Sequence, residues 1–411
     1  MRWHHLTALL LCLLPKTGSA GVMLEAELGP ELDTNANRVQ SIHVPCPAGQ
    51  TCVAGVCQPV GCSGASCEGG DSCIEGGEEA VVAGLMRLTA SGRFQLRLGR
   101  HALSAVLAAG GKLFLSNDAR TADEIVQRLN LGWAALLPSS AVLSVEGSFY
   151  DAYQRESVRD FRTGGAVARL SLGRPAGGLG VMASGGYRAL QYKPLADYSF
   201  QGPTAAIDLS STLTRGAVGE QVDWNLTLGY SVGYRRFSGA AEGIPQPCPG
   251  RPEDICNQPS DADREDLNHL FHLEINYLGN ADATLSYGLE LNQSNSHGET
   301  FQRHVLGIKF TAPLFQGIFF TAKGVLQFSQ FRDPYLISRV PNQTFVTIED
   351  ENRSRLLLQL ARDLTPRISL NLRYGFYVNE SVTPGTGDAQ VRIPPFMRQT
   401  LFVGLRVQWD S

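Results

Sequence analysis

The stretch VDWNLTLGYSVGYR, residues 222–235, decides the fold. One parity carries Val222, Trp224, Leu226, Leu228, Tyr230, Val232 and Tyr234. The other carries Asp223, Asn225, Thr227, Gly229, Ser231, Gly233 and Arg235. Successive side chains of a strand point to opposite faces, so one face of this segment is wholly apolar and the other is polar or tiny. The same alternation recurs at Leu267–Tyr277 and at Ile368–Val378. Strands of an ordinary sandwich average about 5–6 residues. These are longer, and membrane barrels use about 9–11 residues per tilted crossing, apolar side outward and polar side inward.

Working outward, the pattern predicts sixteen strands, near 22–31, 80–98, 102–116, 124–137, 141–153, 159–172, 178–192, 198–213, 221–237, 266–278, 281–295, 300–312, 317–331, 346–363, 367–380 and 396–409. Short links alternate with longer polar loops. The fold class is therefore all-β, a transmembrane antiparallel β-barrel of about 16 strands, with about 14–18 compatible with the pattern. Composition agrees: of 411 residues, 43% are hydrophobic and 18% charged, and mean hydropathy is -0.09. After residue 20 no run reaches the roughly 18 apolar residues of a spanning helix, which excludes a helical transporter.

Residues 1–20 read as a secretory signal peptide. Arg2 precedes an apolar run from Leu6 to Pro15, and Gly18-Ser19-Ala20 supplies small residues for cleavage. Cys12 does not read as a lipoprotein site, because Leu11 stands where a small residue is needed. Removing this segment takes away Arg2 and Lys16, leaving 33 basic and 39 acidic residues in the barrel region 21–411.

Eight cysteines remain. Cys46, Cys52, Cys57, Cys62, Cys67 and Cys73 crowd residues 40–78, and Cys248 and Cys256 stand apart. An even count in an exported chain reads as disulfides, and no Cys-x-x-Cys pair suggests zinc. Six cysteines allow 15 pairings, which the spacing leaves open. Both clusters fall in connections of the same parity, after strands one and nine, so both are expected on the extracellular side. Trp133, Trp224 and Trp409 fall at the short-turn ends of their strands. Tyr230, Tyr234, Tyr374 and Phe376 fall toward the long-loop ends, as the two interfacial girdles of a barrel would.

Three stretches carry resemblances. CPAGQTCVAGVC resembles small cysteine-rich extracellular modules. The terminal alternation of Val403, Leu405, Val407 and Trp409 with Phe402, Gly404, Arg406 and Gln408 is similar to the insertion signal of outer-membrane barrels, though Asp410-Ser411 follow the aromatic. LEAELGPELDTNANRV, residues 24–39, resembles the first strand of porin-type outer-membrane barrels found with exopolysaccharide export systems. Asp33, Asn35 and Asn37 match their Asp-x-Asn, and the cysteine-rich loop that follows is similar to those of myxobacterial secreted proteins. That resemblance implies a bacterial outer-membrane location, a lipid-embedded chain and a periplasmic polysaccharide-export partner; the cysteine-rich first loop departs from the family.

No nucleophile elbow, HExxH, P-loop or dinucleotide fingerprint is present. The reading is a non-enzyme with no cofactor, no metal and no nucleic-acid partner. A rim grouping of Ser294, Ser296, His297 and Glu299 is the one candidate for chemistry, and a solvated loop is the simpler account of it. The polar faces are more informative. They carry Arg87, Arg93, Arg97, Lys112, Arg128, Arg169, Arg188, Arg235, Lys309, Lys323, Arg355, Arg373, Arg398 and Arg406, against Glu146, Asp208, Asp223, Glu274 and Glu290. A cationic lumen favours anions, so the chain is expected to pass anionic solutes or an acidic surface polysaccharide. Lys309, Lys323, Arg355 and Arg373, on strands twelve to fifteen, are expected to form a basic stripe. Two rivals stand beside this reading: a structural or adhesive barrel displaying its disulfide-bonded loop, and a rim-site enzyme.

Overall fold

The computed structural model describes residues 19–36, 80–138, 141–154, 160–172, 178–193, 196–215, 222–244, 259–315, 317–332, 354–378 and 397–410. It also describes short strands at 42–45, 50–53, 56–59, 72–75, 246–248 and 251–256. The signal-peptide reading falls on residues outside this set, apart from 19 and 20.

Sixteen strands form one closed barrel. They are β1 Ser19–Asp33, β2 Ala83–Leu98, β3 His101–Phe114, β4 Glu124–Leu136, β5 Val142–Gln154, β6 Phe161–Leu172, β7 Leu179–Tyr192, β8 Phe200–Arg215, β9 Val222–Glu242, β10 Pro259–Leu278, β11 Asp282–Ser294, β12 Phe301–Pro313, β13 Ile318–Phe331, β14 Ser354–Thr365, β15 Ile368–Val378 and β16 Met397–Asp410. Each pairs antiparallel with its chain neighbour, and β1 closes the ring against β16. In hydrocarbon every backbone donor and acceptor must be satisfied within the protein, which closure achieves. No described helix is long and apolar enough to cross a membrane.

The strand count and the inward or outward parity of β9 match the sequence reading. β9 and β10 run further than expected, to Glu242 and from Pro259, so their hairpin projects beyond its neighbours on the long-loop side. Of the strand expected over 346–363, residues 346–353 lie outside the described residues and the rest falls in β14. On the outer face Leu24, Leu28, Leu88, Leu107, Leu226, Leu228, Phe271, Leu306, Leu372 and Leu405 are all exposed. This apolar band faces lipid. At its short-turn border Trp224 meets Tyr277 edge-on, with ring centroids 5.0 Å apart.

The two cysteine-bearing segments leave from the same end of the barrel, between β1 and β2 and between β9 and β10. The first forms two small ribbons. Ile42–Pro45 pairs with Ser72–Glu75, and Gln50–Val53 with Val56–Pro59, which sets Cys52 directly opposite Cys57. In the second, Cys256 stands opposite Gln246 and Cys248 opposite Arg251. Cys46, Cys62 and Cys67 lie outside the described residues.

Apolar packing inside the barrel concentrates at this long-loop end. Leu85 and Phe114 bury against Ala36, Ala83 and the short 3-10 helix Asn117–Ala122. Nearby, Val126, Tyr150, Ala152, Phe161 and Tyr192 form a second cluster.

The register makes a direct prediction. Leu226 is on the lipid face, and Thr227 points into the lumen beside Glu274. Leu226→Arg is expected to destabilise the barrel by ~2–4 kcal/mol if it sits near mid-bilayer. Thr227→Arg is expected to be nearly silent. Urea unfolding of both variants in lipid vesicles checks this, and the reverse order of damage would contradict the register.

Candidate functional site: the lumen and its two walls

The first strand shapes the lumen. Its inward positions include Glu25, Glu27, Glu31 and Asp33, and each meets a cation from β2, β15 or β16. Glu25 Oε2 accepts from Arg406 Nη2 at 2.7 Å. Glu27 accepts from Arg373 Nη2 and from Asn371 Nδ2, each at 2.9 Å. Glu31 accepts from Arg87 Nη2 at 2.8 Å. Asp33 is clasped by Arg398, whose Nε lies 2.9 and 2.8 Å from the two carboxylate oxygens. Planar guanidinium forks suit such bidentate contacts.

Burial rises along this row. The side chains of Arg406 and Glu25 are 36% and 28% exposed, whereas those of Arg398 and Asp33 are 1% and 0% exposed. The lumen is thus wet at the short-turn end and dry at the long-loop end. Further along the wall, Lys112 lies 3.8 Å from Glu124 in a buried position, and Arg169 donates to Glu146 at 2.6 Å. Across the barrel, Arg264 bonds Asp266 at 2.8 Å and Glu299 at 2.9 Å, again buried. Arg303 bonds Glu290 at 2.9 Å.

These pairs correct the expected charge balance. Glu25, Glu27, Glu31, Asp33 and Glu124 are lumen acids that the sequence reading left out, and they face Arg406, Arg373, Arg87, Arg398 and Lys112. The stripe of Lys309, Lys323, Arg355 and Arg373 also breaks up. Lys309 and Lys323 stand directly opposite each other. Arg355 pairs with Val325, two residues further toward the long-loop end, and Arg373 is held by Glu27. The stripe failed because strand-by-strand polarity says which residues face inward, not which rows they share.

Between these pairs, on the wall away from β1, a second set of inward cations stands outside ion-pair contact. Arg128 donates to Asn130 at 3.4 Å. Among the described residues Arg188 and Arg235 have no carboxylate within ion-pair distance, and they lie 6.0 and 5.4 Å from the centre of the Phe200 ring. Among the described residues Lys309 and Lys323 have no ion pair either. Three cavities indent this wall. One, of about 320 Å³, includes Arg188, Phe200, Gly202 and Arg235. Another, of about 300 Å³, adjoins Arg128 and Arg188. The third, of about 440 Å³, holds Asp208, His272 and Glu274.

Inward aromatics were missed as well. Phe200, Phe237 and Phe301 were hidden by the expectation that aromatics belong to the lipid girdles, whereas Phe402 already stood on the parity of Arg406. Each instead carries an arginine on its face, Arg264 over Phe237 at 4.0 Å and Arg303 over Phe301 at 4.3 Å. The signal that could have found them is parity: each shares a face with charged residues.

In the rim grouping Ser296 Oγ accepts from the Glu242 amide at 2.9 Å, Ser294 Oγ accepts from the Ser296 amide at 3.0 Å, and Glu299 accepts from Arg264 at 2.9 Å. His269 faces lipid, where its Nδ1 lies 2.8 Å from Tyr230 Oη. His272 faces the lumen, 3.2 Å from Asp208. Among the described residues no group of three His, Cys, Asp or Glu is placed to hold a metal ion.

No family model and no curated protein sequence matches the chain. Solved structures similar to it include OccAB2 of Acinetobacter baumannii, at 8% identity over 95% of this chain and 98% of that one, with a TM-score of 0.41. Pseudomonas putida OprB matches at 10% identity over 99% and 97%, TM-score 0.40. The outer membrane protein opdK from Pseudomonas aeruginosa matches at 10% over 95% and 99%, TM-score 0.39.

The dry end of the acidic row makes a stability prediction. Arg398→Met leaves Asp33 buried without its partner and is expected to cost ~3–5 kcal/mol. Adding Asp33→Asn should restore much of that loss. Arg406→Met, at the wet end, should cost only about 0–1 kcal/mol. Urea titrations of the three variants give the comparison.

Proposed function

We propose that this chain is an outer-membrane channel for small hydrophilic solutes with a preference for anions. The observation that carries this reading is the division of the lumen. The wall around β1 neutralises its cations with carboxylates, whereas Arg128, Arg188, Arg235, Lys309 and Lys323 keep their charge available. A barrel of 16–18 strands is wide enough for an aqueous path. Cations in a confined polar tube attract anions without holding them fast. The dry ion pairs at the long-loop end favour small solutes over a polymer as cargo, so passage of an acidic polysaccharide, with its periplasmic partner, is the weaker form of this proposal. The same dry end supports a second reading, a barrel that displays the cysteine-rich segment on the cell surface.

Reversal potentials in planar bilayers test the choice. The wild-type barrel in a potassium chloride gradient is expected to favour chloride. The triple variant Arg128→Gln, Lys309→Gln, Lys323→Gln should move selectivity toward potassium. The difference should fade as the screening length falls from ~10 Å at 0.1 M salt to ~3 Å at 1 M. A folded barrel that passes no current would favour the display reading.

A further inference from the structure

The β8–β9 ladder contains a gap. Hydrogen-bonded pairing runs to Gln201 opposite Arg236, resumes at Thr204 opposite Gly233, and skips Gly202-Pro203. Proline has no amide to donate, so it suits a place where the ladder is broken. Gly202 is required by space: a Cβ there would lie 1.8 Å from the Tyr234 carbonyl oxygen. The same build recurs at the barrel seam. Gly29-Pro30 is skipped in the β1–β16 ladder, and a Cβ on Gly29 would lie 2.0 Å from the Val403 carbonyl oxygen.

In β8 the gap has a consequence at the lumen surface. Gly202 stands directly opposite Arg188 on β7, and its missing Cβ would approach the Arg235 Cα at 3.4 Å on β9. No side chain therefore separates the two arginines across the central strand. Both reach the same ring, Phe200, which forms one side of the recess. Thr204 and Ser231 add hydroxyls, and Asn268 and Glu290 close the far side. Glu290 does not balance the arginines, because its two oxygens are taken by Arg303 at 2.9 Å and Asn268 at 2.8 Å. The recess lies where the wet lumen gives way to the dry end: Arg235 is opposite Asp266, which Arg264 holds together with Glu299.

We propose that Arg188, Arg235 and Phe200 form an oxyanion site at this wet–dry boundary, and that its ligand is a divalent oxyanion, a phosphate or sulfate group. Its role in passage rests on the channel reading above. Among the described residues neither guanidinium has a carboxylate in ion-pair contact, so both forks are open to one recess. A carboxylate has oxygens for one fork, whereas a tetrahedral oxyanion has oxygens for both. Guanidinium forks bind such oxygens bidentately, and stacking on Phe200 orients the forks while leaving their N–H edges free. A recess of this size also lies within the range of small-molecule sites.

The test uses the full barrel in planar bilayers in potassium chloride at about pH 8, where a phosphate group is a dianion. Inorganic phosphate is added from the short-turn side. Chloride current is expected to fall to a plateau as phosphate rises, with sulfate acting alike and acetate having little effect. The double variant Arg188→Gln, Arg235→Gln should raise the half-blocking concentration at least about tenfold, since bonds to charged groups are the strong ones. Its folding is verified by heat-modifiable migration. Arg188→Lys, Arg235→Lys keeps the charge and loses the forks, so it should keep chloride preference and still weaken the block. Equal block in wild type and the Gln variant, or equal block by acetate, would overturn the site. Where no current flows at all, calorimetric titration of phosphate into the solubilised barrel separates the two readings. Phosphate heat that disappears in the Gln variant upholds the site and overturns the channel. Absence of phosphate heat in the wild type overturns the site.

Discussion

In hydrocarbon a backbone amide without a partner costs several kcal/mol, so a strand-built chain can stay in the membrane only as a closed ring. Here closure depends on β1 finding β16, the two strands furthest apart in the chain. The inward face of β1 is acidic at Glu25, Glu27, Glu31 and Asp33, and its partners on β15, β16 and β2 are arginines. The seam is therefore specified by charge as well as by backbone pairing. A shift of one residue would turn four carboxylates into lipid and strand Arg373, Arg398 and Arg406 in the lumen.

The same row explains why one end of the lumen is dry. A buried ion pair gains little over well-packed apolar groups, but losing one partner is costly. Arg398–Asp33 and Arg264–Asp266 thus hold the long-loop end in one arrangement. Two apolar clusters, around Leu85 and around Tyr150, fill the space between them. Toward the short turns the pairs become exposed and the cavities open. Any solute entering from that side meets the free cations of the second wall before it meets the dry end.

Much of this was legible in the sequence. The period of two placed sixteen strands, and parity alone showed that Arg188 and Arg235 face inward. Parity could also have shown Glu25, Glu27, Glu31 and Asp33 doing so. Their reading was lost because the first strand was judged by its resemblance rather than by its faces. Lateral order was not legible. The register between strands depends on turn geometry and bulges that residue type does not encode, so Lys309 opposite Lys323 and Arg373 beside Glu27 appear only in the folded barrel. The Gly-Pro pairs at 29–30 and 202–203 were visible as letters. Their meaning as gaps in the ladder depends on what lies across from them.

An arginine facing a lumen can be held in two ways, and the chain uses both. A carboxylate satisfies the fork and cancels its charge, as Glu31 does for Arg87. An aromatic face supports the fork by its quadrupole and leaves the charge in place. Arg373 has both Glu27 and Phe402, and is neutral as a pair. Among the described residues Arg188 and Arg235 have Phe200 and no carboxylate in ion-pair contact. Burying guanidiniums partly without a contacting counterion is unfavourable. Such a cost is tolerated in folded proteins chiefly where a ligand supplies the missing charge. The position of this pair, next to a ladder gap and just inside the dry end, marks the place on the second wall where an anion would be held longest before release.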